Sequence, residues 1–423
     1  MTELDTAREE IDACDREMAR LFARRMAAVD RVAAYKKEAG LPVLDTARET
    51  ALLEKNRAYL PDDTFLTEYL AFERSVMALS RGYQAKKNCE LYVDLPGRGY
   101  EVVLSRGGLH HAGELCDLDR RVLVVTDSGV PGQYAKTVMA QCKEPTLAIL
   151  PAGEASKTLA SYEKLLRILL ERGFTRGDCV VAVGGGVVGD LAGFAASTYL
   201  RGIGFYNMPT TLLSAVDASV GGKNGIDFLG VKNQVGVFRQ PDKVLIDPDT
   251  FSTLPERQIS AGMAEVIKMA ATSDPALFSL CERATVADLP AIIRAAVAIK
   301  RDVVEADERE GGLRRVLNFG HTVGHAIESL AGGRLLHGEC VALGMLPMCA
   351  PAVRERLTAL YGRYGLPTEI PFTPEQMLPY LTHDKKLSGG ELTYVFVPEV
   401  GKFEFRRATP EEFLHNLREG MTR

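Results

Sequence analysis

The chain contains no tryptophan, no CxxC pair, no low-complexity tract and no apolar run approaching the roughly 18 residues of a membrane-spanning helix. Each absence excludes something. The acidic, polar start MTELDTAREEID is the opposite of a signal peptide, so neither export nor membrane insertion is expected. Eight cysteines scattered through 423 residues give no disulfide framework and no paired metal-ligand spacing; they read as reduced thiols of a cytoplasmic protein. An excess of positive charge is missing too. The net charge of −5 offers no electrostatic reason to expect nucleic acid or an anionic membrane as a partner. What remains is an ordinary globular composition, 46% apolar and 25% charged, long enough for two or three domains.

Glycine and proline are also absent from residues 3–38, where apolar side chains recur at helical spacing until GLP at 40–42. Such a helix is about 54 Å long. Two shorter helices are expected near 46–58 and 63–83, parted by Pro61, and AKKN at 85–88 reads as a linker. Three helices cannot bury so long a rod among themselves, so a second copy is expected to pack on it. From residue 89 the texture changes. RRVLVVTDSG, PTLAILPAG and DCVVAVGGG are apolar strands ending in turn residues, with helical stretches such as LASYEKLLRILLERG between them. That alternation predicts a parallel sheet covered by helices. Beyond about residue 258 the pattern is mostly helical, with a final strand pair expected at 391–406. The expected organisation is therefore a helical unit over 1–85, an α/β domain over 86–258 and a helical domain over 259–423.

Chemistry-bearing residues cluster in the last two segments. In CVVAVGGGVVGDLAGF, a strand runs into a glycine turn and a helix start, and Gly184, Gly186 and Gly189 fit G-x-G-x-x-G. The pattern suits either a dinucleotide pyrophosphate or a tight turn without a ligand. Glu265 stands in the otherwise apolar GMAEVIKMA and needs a partner: Lys268 on the next turn, or a metal. His321 and His325 are four apart in LNFGHTVGHAIES, on one face of a helix, and His337 lies in LLHGE. One carboxylate with two imidazoles makes a catalytic zinc set, although a histidine taken singly is more often structural than a ligand. Basic residues recur at turns: Arg201, Lys223, Lys232, Lys300, Arg314 and HDKK at 383–386.

The runs VGGGVVGDLAGFAASTYLRGI, PTTLLSAVDASVGGKNGI, LPERQISAGMAEVIK, LNFGHTVGHAIE and HGECVALGM together resemble the 3-dehydroquinate synthases over residue 89 to the C-terminus. The resemblance implies a Rossmann-like NAD domain followed by an α-helical metal-binding domain. It further implies NAD, a zinc or cobalt ion, and conversion of 3-deoxy-arabino-heptulosonate 7-phosphate to 3-dehydroquinate and phosphate. By that resemblance Glu265, His321 and His337 are metal ligands and His325 contacts substrate. Asp127, Glu154, Lys157, Gly185, Gly186, Val187, Asp190, Thr210, Thr211, Asp217 and Lys232 match NAD-contacting positions. Lys223, Asn233, Lys268, Lys300, Arg314, Asn318 and Lys385 match substrate contacts, and Arg201 an arginine supplied across a dimer interface. Val231, Ala218 and Leu336 depart from the family's usual residues. Another sugar-phosphate cyclase and a metal- and NAD-dependent polyol dehydrogenase are the alternatives.

Leu4, Ile11, Met18, Arg25 and Val32 repeat every seven residues in the first helix, placing Arg25 on an apolar seam. A polar group there either sets register or points into an anion pocket. Glu49 completes a capping box with Thr46 or serves a site. Arg8, Arg25, Lys36, Asp45, Arg48, Glu49, Ser80 and Gln84 together resemble the active-site pattern of the all-helical chorismate mutases, an intertwined homodimer family. The resemblance implies chorismate binding, with either turnover to prephenate or regulation of the cyclase as its purpose.

Overall fold

The computed structural model describes residues 2–39, 43, 46–382, 387, 388 and 391–422. It separates into two compact units, residues 1–101 and 102–423. The first is led by α1 (Glu3–Glu38), opened by a capping box between Thr2 and Asp5 and closed by Lys36 and Lys37, whose charges suit the helix C-terminus. α2 (Thr46–Arg57), α3 (Leu66–Asn88) and the short strand β1 (Tyr92–Val93) follow, and the division falls within β2 (Tyr100–Leu104). The polar AKKN segment continues α3 instead of forming a linker, because alanine and lysine are strong helix formers. Ala33 is the one buried residue of α1 among those described, whereas Leu4, Ile11, Met18 and Val32 are all exposed.

The second unit opens with α4 (Ala112–Leu115), β3 (Arg121–Asp127), α5 (Gly132–Met139), β4 (Glu144–Leu150), α6 (Leu159–Glu171), β5 (Cys179–Gly184), α7 (Gly186–Thr198) and β6 (Gly204–Pro209). An antiparallel ribbon of β7 (Lys223–Phe228) and β8 (Val231–Phe238) precedes β9 (Lys243–Ile246). Strands β9, β6, β5, β3 and β4 lie side by side in that order, all parallel. Alternation along the strands divides the core. Leu123, Val125, Val180 and Ala182 pack with residues of α6 and α7, while Val122, Val124, Val181 and Val183 pack with Ala135 and Val138 of α5. Helices thus cover both faces, the arrangement that a buried parallel sheet requires.

The remainder is helical: α8 (Glu256–Ser273), α9 (Pro275–Arg283), α10 (Leu289–Ala306), α11 (His321–Ala331), α12 (His337–Met345), α13 (Pro351–Tyr364), α14 (Pro374–Thr382) and α15 (Pro410–Thr422). β10 (Leu387–Ser388), β11 (Glu391–Glu399) and β12 (Lys402–Ala408) form a small antiparallel sheet. Every residue of α8 from Ala261 to Thr272 is buried, which makes it the central helix of this part. Among the described residues no helix is long and apolar enough to cross a membrane.

Candidate functional site

α11 and α12 are pressed together by small residues. A Cβ on Gly344 would stand 2.0 Å from the Gly320 carbonyl oxygen, so only glycine fits. That approach carries the first residues of the two helices, His321 and His337, to the carboxylate of Glu265 on α8. Each Nε2 lies 3.7 Å from Glu265 Oε1, and the ligand atoms of the three residues lie within 4.8 Å of one another. Glu265 is fully buried and, among the described residues, neither of its oxygens receives a hydrogen bond, although Lys268 forms an ion pair with it. A buried carboxylate left this way is costly alone and suits a cation. The donor set is that of a divalent-metal site with room for a further ligand. The outer ring nitrogens are also engaged: His337 Nδ1 lies 3.2 Å from Glu328 Oε2, and His321 Nδ1 3.3 Å from the Phe319 carbonyl. Both rings are thereby turned with Nε2 inward.

Burial works to lower the pKa of His337, but the hydrogen bond to Glu328 and the charge of Glu265 outweigh it and raise it above its ordinary value. Burial works to raise Glu328, yet His337 and Lys232 hold it down to about 2. His325 is exposed, with its ring centroid 5.2 Å from that of His321 and 5.9 Å from that of His337. It borders the Glu265 cluster, and with Glu328 and His337 it makes an overlapping trio.

Cations crowd beside this cluster. Lys268, Lys300 and Arg314 are all buried. Lys300 pairs with Asp217, which sits on the π-helical turn Ser214–Ala218. Burial lowers Lys300 to about 8 against the pull of Asp217. Burial would raise Asp217, but the charges of Lys300 and Lys268 hold it well below the usual carboxylate range. Arg314 donates to the carbonyls of Gly221 (3.2 Å) and Glu308. Lys223 pairs with Glu310, and Asn318 donates to the same carboxylate at 2.8 Å. Carboxylates match two of the three, Glu265 with Lys268 and Asp217 with Lys300, so the buried group keeps a small excess of positive charge that favours an anion. Lys385 lies outside the described residues.

The residues that match NAD contacts gather where the parallel strands end. Asp127 closes β3, Glu154 follows β4, Gly185 follows β5 and Thr210 follows β6, the edge at which open α/β sheets bind ligands. The glycine fingerprint divides its work. A Cβ on Gly184 would meet Val188 at 2.7 Å, so this glycine serves strand–helix packing. Gly185, Gly186 and Val187 form the start of α7, whose first N–H groups have no partner within the helix. Thr210 donates its N–H to the Gly184 carbonyl (2.9 Å), and Thr211 Oγ1 accepts from Ser214 N (3.2 Å). Lys157 pairs with Asp190 at 2.5 Å and also donates to Asn233. Burial pushes Asp190 up to about 6, with Lys157 opposing. Asn233, in the left-handed region at φ 52°, follows Lys232, which reaches Glu328 at 2.7 Å.

Arg201 is not part of this gathering. It is exposed on the turn before β6, whereas Thr210 follows the strand, so the length of β6, about 20 Å, separates the two edges.

In the first unit, Arg25 of α1 donates to Ser80 of α3, and Gln84 Nε2 donates to the Ser80 carbonyl at 3.2 Å. Ser80 and Gln84 are buried, and Gln84 Oε1 has no hydrogen-bond partner among the described residues. Lys36 Nζ donates to the Val43 carbonyl at 2.6 Å. Arg81 holds Glu49, and Arg48 is exposed on α2. Arg8 lies 17 positions before Arg25 on the same helix, about 25 Å along its axis, too far to share one pocket within a copy. Asp45 lies outside the described residues. Glu310, Glu328 and Arg81 were not singled out in the sequence. Only Glu328 carried a local signal, sharing a helix face with His321 and His325.

Residues 147–261 match the family described as 3-dehydroquinate synthase N-terminal and residues 262–387 its C-terminal counterpart; residues 7–85 match chorismate mutase type II. The 3-dehydroquinate synthase of Streptococcus mutans is 39% identical over 352 residues, covering 78% of this chain and 99% of that protein. That of Lactococcus lactis subsp. cremoris is 39% identical over 354 residues, with the same coverage. Among solved structures, 2-deoxy-scyllo-inosose synthase complexed with carbaglucose-6-phosphate, NAD+ and Co2+ aligns with a TM-score of 0.71 and 26% identity, over 78% of this chain and 99% of that one. A 2-epi-5-epi-valiolone synthase from Streptomyces hygroscopicus with NAD+ and Zn2+ bound aligns at 0.70 and 28%, over 76% and 97%.

Proposed function

The chain belongs to the 3-dehydroquinate synthase family, and from that premise we propose that it converts 3-deoxy-arabino-heptulosonate 7-phosphate to 3-dehydroquinate and phosphate while its helical unit rearranges chorismate to prephenate. It is a bifunctional shikimate-pathway enzyme, a carbon–oxygen lyase joined to an isomerase. We place the domain boundaries at the end of α3, three residues beyond the expected 85, and after residue 258. The observation that carries the cyclase reading is the meeting of Glu265, His321 and His337 beside buried Lys268, Lys300 and Arg314.

Glu265, His321 and His337 hold a divalent ion, and the N-terminus of α7 with Asp190, Lys157, Thr210 and Thr211 receives NAD. When bound, these cofactors supply polarisation of a substrate hydroxyl and a hydride acceptor that later returns the hydride. The chain's own residues do the rest. Lys268, Lys300, Arg314 and Asn318, with Lys223 and Asn233, grip the substrate's carboxylate and phosphate, and positioning accounts for much of the rate. His325 faces the substrate and exchanges protons. In the first unit, Arg25 and its fellow cations bind the chorismate dianion. Lys36 and Gln84 stabilise charge developing at the ether oxygen as the C–O bond breaks.

The enzyme acts as a homodimer or larger homo-oligomer. Supporting this are the exposed row Leu4, Ile11, Met18 and Val32, the separation of Arg8 from Arg25, and that of Arg201 from the strand ends. Its eight free cysteines fit the cytoplasm. The test is to supply the full chain with the heptulosonate, NAD+ and Zn2+, and separately with chorismate. Formation of 3-dehydroquinate and of prephenate is expected; absence of the former overturns the cyclase assignment, and absence of the latter the mutase.

A further inference from the structure

We propose that Glu328, anchored by Lys232, is the positioning residue that sets the orientation and donor strength of His337. The inference rests on the metal site proposed above. Glu328 lies on α11 with one oxygen directed to each neighbour: Oε2 is 3.2 Å from His337 Nδ1, and Oε1 accepts from Lys232 Nζ at 2.7 Å. The carboxylate side chain is 15% exposed, while that of Lys232 is 50% exposed, so the lysine closes the solvent side of the pair. His337 is the more exposed of the two histidines in the Glu265 cluster, 35% against 12% for His321. A carboxylate accepting from Nδ1–H selects the tautomer with its Nε2 lone pair toward Glu265 and makes that nitrogen a better donor. Lys232 comes from the β7–β8 ribbon, next to Asn233, which accepts from Lys157 of the proposed nucleotide site. One carboxylate therefore joins that ribbon to the metal ligand.

The measurement is the dissociation constant of Zn2+ for the full chain, by competition with a chelator, together with the visible spectrum of the Co2+ form. Glu328→Ala weakens the metal by about 10- to 100-fold and shifts the Co2+ bands. Glu328→Gln, which keeps the acceptor but not the charge, falls between Ala and the unsubstituted chain. Lys232→Met weakens binding less than Glu328→Ala, because the carboxylate remains. Unfolding of the metal-free variants is compared to separate misfolding from lost affinity. Three Glu328 forms with equal constants and spectra overturn the proposal while leaving the metal site standing. Gln as weak as Ala overturns orientation by hydrogen bonding. Two ions per chain overturn it as well, since Glu328 and His325 would then be ligands themselves. No binding by the unsubstituted chain removes the metal site and this inference together.

Discussion

Glu265 and Lys268 form an ion pair one turn apart on the central helix, and the same carboxylate faces two imidazoles at 3.7 Å. The salt bridge and the proposed metal site are thus compatible on one carboxylate. The ammonium neutralises part of the buried charge when no ion is present. Removing one partner of such a pair leaves an uncompensated buried charge. Lys268→Met should therefore destabilise the metal-free chain by about 3–5 kcal/mol, with part of the loss recovered on adding Zn2+. Denaturant unfolding with and without the ion checks this. Equal stability of the variant and the parent would show that the pair carries no such burden.

The lowered pKa of Lys300 makes substrate binding sensitive to alkali. Burial brings it from 10.5 to about 8, so the ammonium proposed to meet the anionic substrate is lost above that pH. Stability moves the other way. Between about 8 and 10.5 the unfolded chain binds more protons than the folded one, so this group's contribution to stability rises with pH. A fall in kcat/KM for the heptulosonate with an inflection near pH 8 is expected without unfolding. Lys300→Arg, which stays charged, should abolish that inflection even if overall activity drops. A profile unchanged in the variant would assign the titration to another group.

The two activities should separate cleanly. Arg25→Ala removes the cation that meets Ser80 and should lower chorismate turnover by at least about 100-fold, the scale of losing one well-placed charge-stabilising donor. Formation of 3-dehydroquinate should change less than about twofold, as expected for independent sites. Parallel assays on one preparation decide it; a shared loss would mean the units work as one.

The exposed row on α1 should be an interface. Ile11→Lys combined with Met18→Lys places charge on an apolar surface that now stands open. The expected outcome is a smaller species in sedimentation and loss of chorismate turnover, as the proposed supply of Arg8 by a second copy requires. An unchanged assembly with full turnover would contradict it.

Much of this was readable from the residues. Alternating apolar strands and glycine-ended turns announce the sheet, and the unbroken run 3–38 announces α1. Glu265 stands out because a carboxylate inside an apolar helix demands a partner. Composition misleads at AKKN, where a polar stretch is helix as readily as linker. Glu310, the partner of Lys223, and Arg81, the partner of Glu49, illustrate a different limit. Lys223 meets Glu310 across 87 positions and Arg81 meets Glu49 across 32, so no local spacing marks these pairs. Lys157, which matches a nucleotide contact, also meets Asn233, which matches a substrate contact; only the folded chain joins the two roles.

The most direct measurement is phosphate release from 3-deoxy-arabino-heptulosonate 7-phosphate by the metal-stripped chain as Zn2+ is added back in the presence of NAD+, with NADH absorbance followed alongside. Release should be absent without the ion, return in proportion up to one ion per chain, and proceed with no accumulation of NADH. Release that persists after stripping, that survives replacement of Glu265, His321 or His337 by alanine, or that builds NADH one-for-one with phosphate would contradict a metal-dependent cyclase built on these three residues.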